Sequence, residues 1–178
     1  SCYRKHSVNI FRTHKLLLIT GLLLAGSTSV LALQSDRTKK IHIVSDSSTY
    51  YSKTGITIFE GHVKAVQGTS HILADKLSTQ AKEHKIQEII AYGLQNLAHY
   101  WTVPSNGEPE VHATAKIIKF YPKEANVTLE KNVRITQGKN SFNGELILYN
   151  KQDQTIIVPK TEQGRAVLVY NPDEKNES

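Results

Sequence analysis

Six histidines follow residue 32 (His42, His62, His71, His84, His99 and His112), and they are the first side chains in this sequence to test for chemistry. A zinc site would want them as His-Glu-x-x-His on a helix or as close pairs on neighbouring strands. None forms the helical motif. His62 and His71 flank a short apolar run that reads as a hairpin, so a surface metal site between them is conceivable. His42 and His112 stand 70 positions apart at matching places in a repeat, which speaks for shared strand architecture instead. Carboxylates offer a second chemistry. Asp46, Asp75 and Glu145 recur beside turns, where carboxylates cap backbone N–H groups; a glycosidase-like pair among them is the catalytic alternative. The cluster His99-Tyr100-Trp101 fits a sugar platform, a lipid path or a packed strand end equally well. Beyond Cys2 there is no cysteine, which removes disulfides, thiolate metal sites and a thiol nucleophile together. No Gly-x-Ser-x-Gly elbow, phosphate loop or dinucleotide fingerprint is present. The residues therefore assign no catalytic group, no metal and no cofactor.

The elements that would position such residues begin after an N-terminal segment of a different character. Arg4, Lys5, Arg12 and Lys15 precede the apolar run LLLITGLLLAG and the small residues STSVLA. This is the order of a secretory signal, and we expect residues 1–32 to be a cleavable signal peptide with Val30 and Ala32 at the recognition positions. An uncleaved anchor over residues 16–33 is the competing reading, disfavoured because Gly26-Ser27-Thr28-Ser29 interrupts the apolar run. Removing the four basic residues of that segment leaves 18 of the 22 basic residues against 16 acidic ones, a net charge near +2. So small an excess gives no drive toward nucleic acid. Residues 171–178 read as a disordered tail, which leaves 33–170 as the folded domain.

Along that domain, short runs with period-two alternation are separated by turn residues, the pattern of an all-β protein. Turn signals recur at Lys53-Thr54-Gly55, Gln67-Gly68, Pro122-Lys123, Gln137-Gly138 and Lys151-Gln152-Asp153. Residues 75–90 can be written as a helix, but they also read as strand, turn at Lys82-Glu83-His84-Lys85, and strand. A repeat favours the second reading. ITIFEGHVKAVQG (56–68) lies on Asn126 followed by VTLEKNVRITQG without a gap, placing Glu60 on Glu130, Val63 on Val133 and Lys64 on Arg134. The match extends to Ile41-His42 on Val111-His112, Tyr51 on Tyr121 and Asp75 on Glu145. The fold class is thus a stack of antiparallel hairpins with an internal repeat of about 70 residues, burying a continuous apolar stripe between neighbours. Such a stack leaves a strand edge free at each end.

Strand parity supplies the inward face. It puts Ile41, Ile43, Ile56, Ile58, Val63, Ile72, Val127, Leu129, Val133, Ile135, Leu146 and Leu148 on one side, with Thr57, Lys64, Thr128 and Arg134 facing water. Ala65, Ala74, Ile156, Val158, Val167 and Val169 continue the inward set.

Several words in order resemble the OstA/LptA-like β-jellyroll family of periplasmic lipopolysaccharide transport proteins. They are Ile41-His42-Ile43-x-Ser45-Asp46, Phe59-x-Gly61-x-Val63, Gln67-Gly68, Ala74-Asp75-Lys76, Tyr92-Gly93, Asn106-Gly107-x-Pro109, His112-Ala113 and Gly144-Glu145-x-x-x-Tyr149. The resemblance spans roughly residues 40 to 170. It implies an open, twisted β-jellyroll and a non-catalytic function: binding lipopolysaccharide with its lipid A acyl chains in an apolar groove made by the twelve inward residues named first. It further implies a periplasmic location and a bridge between the inner-membrane component C and the outer-membrane component D. Edge-to-edge association of copies and a groove-lining aromatic at His99 or Tyr100 follow from the same resemblance. Two alternatives remain beside it: component C itself, which keeps its anchor, and a periplasmic β-solenoid carbohydrate-active enzyme.

Overall fold

The computed structural model describes residues 36–104, 107–162 and 164–169. The signal peptide and the C-terminal tail read from the sequence lie outside the described residues. After a short 3₁₀ turn (Asp36–Thr38), the described residues form twelve strands. In chain order these are β1 (Ile41–Val44), β2 (Ser47–Tyr51), β3 (Ile56–Gln67), β4 (Ser70–Lys82), β5 (Lys85–Tyr92) and β6 (Ala98–Thr102). They are followed by β7 (Val111–Ala115), β8 (Ile117–Tyr121), β9 (Asn126–Gln137), β10 (Asn140–Asn150), β11 (Thr155–Ile157) and β12 (Val167–Val169). The second six repeat the first six. The ambiguous stretch after Asp75 is the β4–β5 hairpin, with every ladder antiparallel.

Four long strands carry the architecture, because each bends and serves two half-sheets. The N-terminal half of β3 pairs with β2, and its C-terminal half with β1. In β9 the same halves pair with β8 and β7. β4 passes from β6 to β5, and β10 from β12 to β11. One half-sheet therefore runs β1-β3-β4-β6-β7-β9-β10-β12 and the other β2-β3-β4-β5-β8-β9-β10-β11. Their inner faces meet in one apolar core, in which Tyr100 of the first stands 6.3 Å from Phe120 and 6.5 Å from Tyr149 of the second.

The bend has a local cause that the repeat explains. Gly61 and His62 have φ of 79° and 45°, and their repeat partners Lys131 and Asn132 have 66° and 55°. Two consecutive left-handed residues insert a bulge, and bulged strands bend and twist. Register shifts are found here, between Glu60 and Val63 and between Gly144 and Leu146. Left-handed backbone at His62, Lys131 and Asn132 costs roughly 1 kcal/mol each or more, and neighbouring bonds hold it in place. The Asp46 N–H donates to the Gly61 carbonyl at 3.0 Å, and the equivalent Lys116 N–H to Lys131 at 2.9 Å. His62 Nδ1 lies 2.7 Å from Asp46 Oδ2, which raises the imidazole pKa. A Cβ at Gly61 would overlap the Asp46 carboxylate.

The repeated acids serve this frame. Asp75 Oδ2 accepts backbone N–H bonds from Leu94 and Gln95 at 2.7 Å and Asn96 at 3.3 Å, fastening the loop between β5 and β6. Those bonds, that of Gln95 foremost, hold its carboxyl below the usual aspartate range.

Candidate functional site

The two inner faces are built from rows of residues opposite one another across the ladders. In the second half-sheet one row reads Phe59, Leu77, Ala91, Ile118, Leu129, Ile147. All but Phe59 are fully buried, and Phe59 packs against them. The matching row in the first half-sheet reads Ile43, Ala65, Ile72, Tyr100, Ala113, Ile135, Phe142. Each row crosses its half-sheet almost from edge to edge, so apolar surface continues along the whole stack. Cross-strand neighbours of this kind are the unit of sheet stabilisation.

Toward the open side of the first half-sheet the lining turns polar. Gln67, Ser70 and Thr102 are buried there, and Tyr100 Oη lies 3.3 Å from Ser70 Oγ. Burial pushes the Tyr100 hydroxyl pKa strongly upward and that of Tyr149 up to about 12. Neither phenol ionises at neutral pH. Lys151, in the turn after β10 of the second half-sheet, crosses this gap. Its ammonium donates to Asp36 Oδ2, to Thr69 Oγ1 at 2.8 Å and to Ser70 Oγ at 3.1 Å. Asp36 also accepts from the N–H of Thr69 at 3.0 Å. Burial opposes the charge on Asp36, but Lys151 and Thr69 outweigh it and hold its pKa below the usual value. This strap ties the two lips together. Beside it the lips part around a cleft of about 900 Å³ that reaches from the start of β1 to the β4–β5 and β8–β9 turns.

Most of the residues expected to face inward do so. Val63, Ile72, Val127, Leu129, Val133 and Ile135 are buried in the core, and Ile41 and Ile43 pack against it at the edge. Four stand elsewhere. Ile56 and Ile58 lie on the opposite face of β3 from Phe59, alongside β2, whose Thr49 is opposite Ile58. Leu146 and Leu148 likewise face away, and Ile147 and Tyr149 take the core positions. The bulge after Gly144 reverses the alternation, so parity counted from Phe142 fails beyond it. Val167 and Val169 are exposed as well, at 51% and 44%. Tyr100, Ile118, Phe120, Ile147 and Tyr149 are core residues absent from the expected set. Phe59 and Leu77 were absent from it too; the repeat carried a signal for Phe59, which falls on the inward Leu129 70 positions on, and Ile147 is likewise the counterpart of Leu77.

The histidines decorate the outer face and do not converge on an ion. His71 stacks on Trp101 with centroids 4.6 Å apart, and Trp101 leans on His99 at 5.0 Å. His99 Nε2 is 3.2 Å from His112 Nδ1, and His112 Nε2 is 3.0 Å from Glu110. A proton on His112 Nε2 facing the carboxylate leaves Nδ1 to accept from His99. Burial and the His112 neighbour both lower the His99 pKa. His62 is engaged by Asp46 and not by His71. Among the described residues no group of three or more metal-ligating side chains comes together. Tyr100 points inward between these outward neighbours, so of the two aromatic positions it is the one that lines the interior.

Residues 42–155 match the family described as LptA/(LptD N-terminal domain) LPS transport protein. The lipopolysaccharide export system protein LptH of Pseudomonas aeruginosa is 30% identical over 141 residues, covering 78% of this chain and 79% of that protein. The lipopolysaccharide export system protein LptA of Escherichia coli is 27% identical over 165 residues, covering 91% of this chain and 89% of that one. The fold is also that of a solved structure. A crystal structure of LptH, described as the LptA-homologous periplasmic component of the lipopolysaccharide transport device, aligns with a TM-score of 0.71. It does so at 22% identity over 78% of this chain and 99% of that one.

Proposed function

Because the chain belongs to the LptA/(LptD N-terminal domain) family of LPS transport proteins, we propose that it carries lipopolysaccharide through the periplasm without catalysis. The observation that supports this most is the pair of apolar rows crossing both half-sheets. A lipid path has to look alike along its length, and the 70-residue repeat builds the same inner face twice. Acyl chains would lie between the half-sheets, exchanging contacts with Ile43, Ile72, Phe59 and Phe142 while the saccharide stays at the lips. Each methylene removed from water contributes about 0.8 kcal/mol, so a multi-acyl lipid gains enough to offset partial opening of the trough. The direction of transfer must come from outside this chain, which carries no nucleotide fingerprint.

In this reading residues 1–32 direct export and are removed, and 33–170 form the working domain. The lipid contacts are Ile41, Ile43, Val63, Ile72, Val127, Leu129, Val133 and Ile135, with the inward neighbours found on the bent strands. Both ends of the stack carry strand edges, β1 and β2 at one and β11 and β12 at the other. Such edges accept another strand through main-chain hydrogen bonds. They are the proposed joints to the inner-membrane component C, the outer-membrane component D and further copies of the chain.

Two measurements test the proposal. The purified protein should retain lipopolysaccharide through gel filtration, and passage without bound lipid would overturn the carrier role. After osmotic shock of cells the mature chain should appear in the released fraction with an N-terminus near Leu33. Retention in the inner membrane would assign it to component C instead.

A further inference from the structure

The cleft between the lips has an uneven charge. Lys39, Lys40 and His42 from the start of β1, Lys82, His84 and Lys85 around the β4–β5 turn, and Lys123 before β9 line it, with Glu83 as the one acidic side chain. Lys82 and Lys85 are directly opposite partners at the base of their hairpin. Like charges so placed are destabilising, and Glu83 and His84 add left-handed backbone at the same turn, with φ of 52° and 60°. Among the described residues Lys40, Lys82 and Lys85 form no ion pair, whereas Lys76, Lys119 and Lys151 are each matched to a carboxylate. Excess positive charge is thus concentrated at one opening of the domain.

The cleft also borders the apolar interior. Ile41 and Ile86 contribute apolar wall, and Ile41 and Gln67 line both the cleft and a void of about 10 Å³ behind it, bounded by Ala65, Ile72, Ile89 and Phe120. A cationic rim leading directly to an apolar floor suits an amphiphile with an anionic head.

We propose that this mouth is an anion seat for the phosphate groups of a phosphorylated glycolipid, with Lys40, Lys82 and Lys85 as its principal contacts and the acyl chains passing behind Ile41. The proposal rests on the carrier reading above and adds where the headgroup sits and which of its groups is recognised. Phosphate neutralises the opposed Lys82 and Lys85, so binding relieves a repulsion built into the free protein.

The test uses the full protein, lipid A bearing its phosphates, and the same lipid after chemical dephosphorylation. Wild type should bind the phosphorylated lipid about tenfold more tightly, a preference that weakens with salt. The triple variant Lys40→Ala/Lys82→Ala/Lys85→Ala should lose that preference and bind both lipids as wild type binds the dephosphorylated one. Its thermal midpoint should not fall, because a like-charge pair has been removed. Equal binding of both lipids by wild type, or equal weakening of both in the variant, overturns the seat and leaves the carrier role standing. Failure of wild type to bind either lipid overturns the carrier role and the seat with it.

Discussion

Ile147→Ala is expected to lower the free energy of unfolding by about 3 kcal/mol, whereas Leu148→Ala beside it should change it by less than about 1 kcal/mol. From composition the two residues are interchangeable, so the contrast comes from the bulge alone. Gly144 is opposite Val133 and Leu146 is opposite Glu130, so Lys131 and Asn132 of β9 face the single residue Glu145 of β10 between the two pairs. Beyond it Ile147 sits opposite Leu129 in the apolar row, and both are fully buried. Truncation there removes buried methylenes and leaves a cavity in the packed core. Leu148 stands opposite Thr128 on the outer face and is 37% exposed. Urea denaturation of the two variants is sufficient. Equal losses, or the larger loss at Leu148, would mean that the alternation is not reversed.

Lys151→Ala should cost about 2 kcal/mol at neutral pH, because it strands the Asp36 carboxylate at a site where its side chain is 18% exposed. Thr69 remains as a partner, which keeps the cost below that of a fully orphaned charge. The pH dependence follows from the direction of the Asp36 shift. In the folded protein Lys151 and Thr69 hold its pKa below the unfolded value despite the opposing effect of burial. Its contribution is therefore fully present above about pH 4, the ordinary aspartate value, and is lost as pH falls through the lower folded value. Wild type and variant should differ at pH 7, and the gap should start to close below about pH 4 and vanish once the pH is under the lowered folded value. A gap of constant size across that range would show that Lys151 acts through packing and not through the carboxylate.

These two cases mark what was legible in the sequence. Strand alternation and turn residues identified most ladders, and the 70-residue match exposed the duplicated hairpins, because both are local or periodic. Strand β2 escaped because SSTYY has no apolar alternation; all five residues are exposed, and the strand exists by pairing with β3. Faces were misassigned at the bends and at the last edge. In β3 Phe59, in step with Val63 and Ala65, takes the inward position in place of Ile56 and Ile58. In β10 the alternation reverses past Glu145 and puts Ile147 and Tyr149 inward in place of Leu146 and Leu148, while Val167 and Val169 lie exposed on β12. The pairs Gly61-His62 and Lys131-Asn132 mark the bends, yet three of those four residues are not the glycines that announce left-handed backbone. The strap was out of reach of any local reading, since Asp36 and Lys151 are 115 positions apart and meet only when the half-sheets close. The cationic mouth is likewise assembled from three separate turns.

Site-specific photocrosslinking in living cells tests most directly whether lipid travels between the half-sheets. A photoreactive residue would replace Ile43 or Phe142, which lie in the inner row, and in parallel Lys64 or Leu148, which lie on the outer face. Lipopolysaccharide adducts are expected at Ile43 and Phe142 and not above background at Lys64 or Leu148. Adducts confined to the outer positions, or spread evenly over all four, would contradict an interior path.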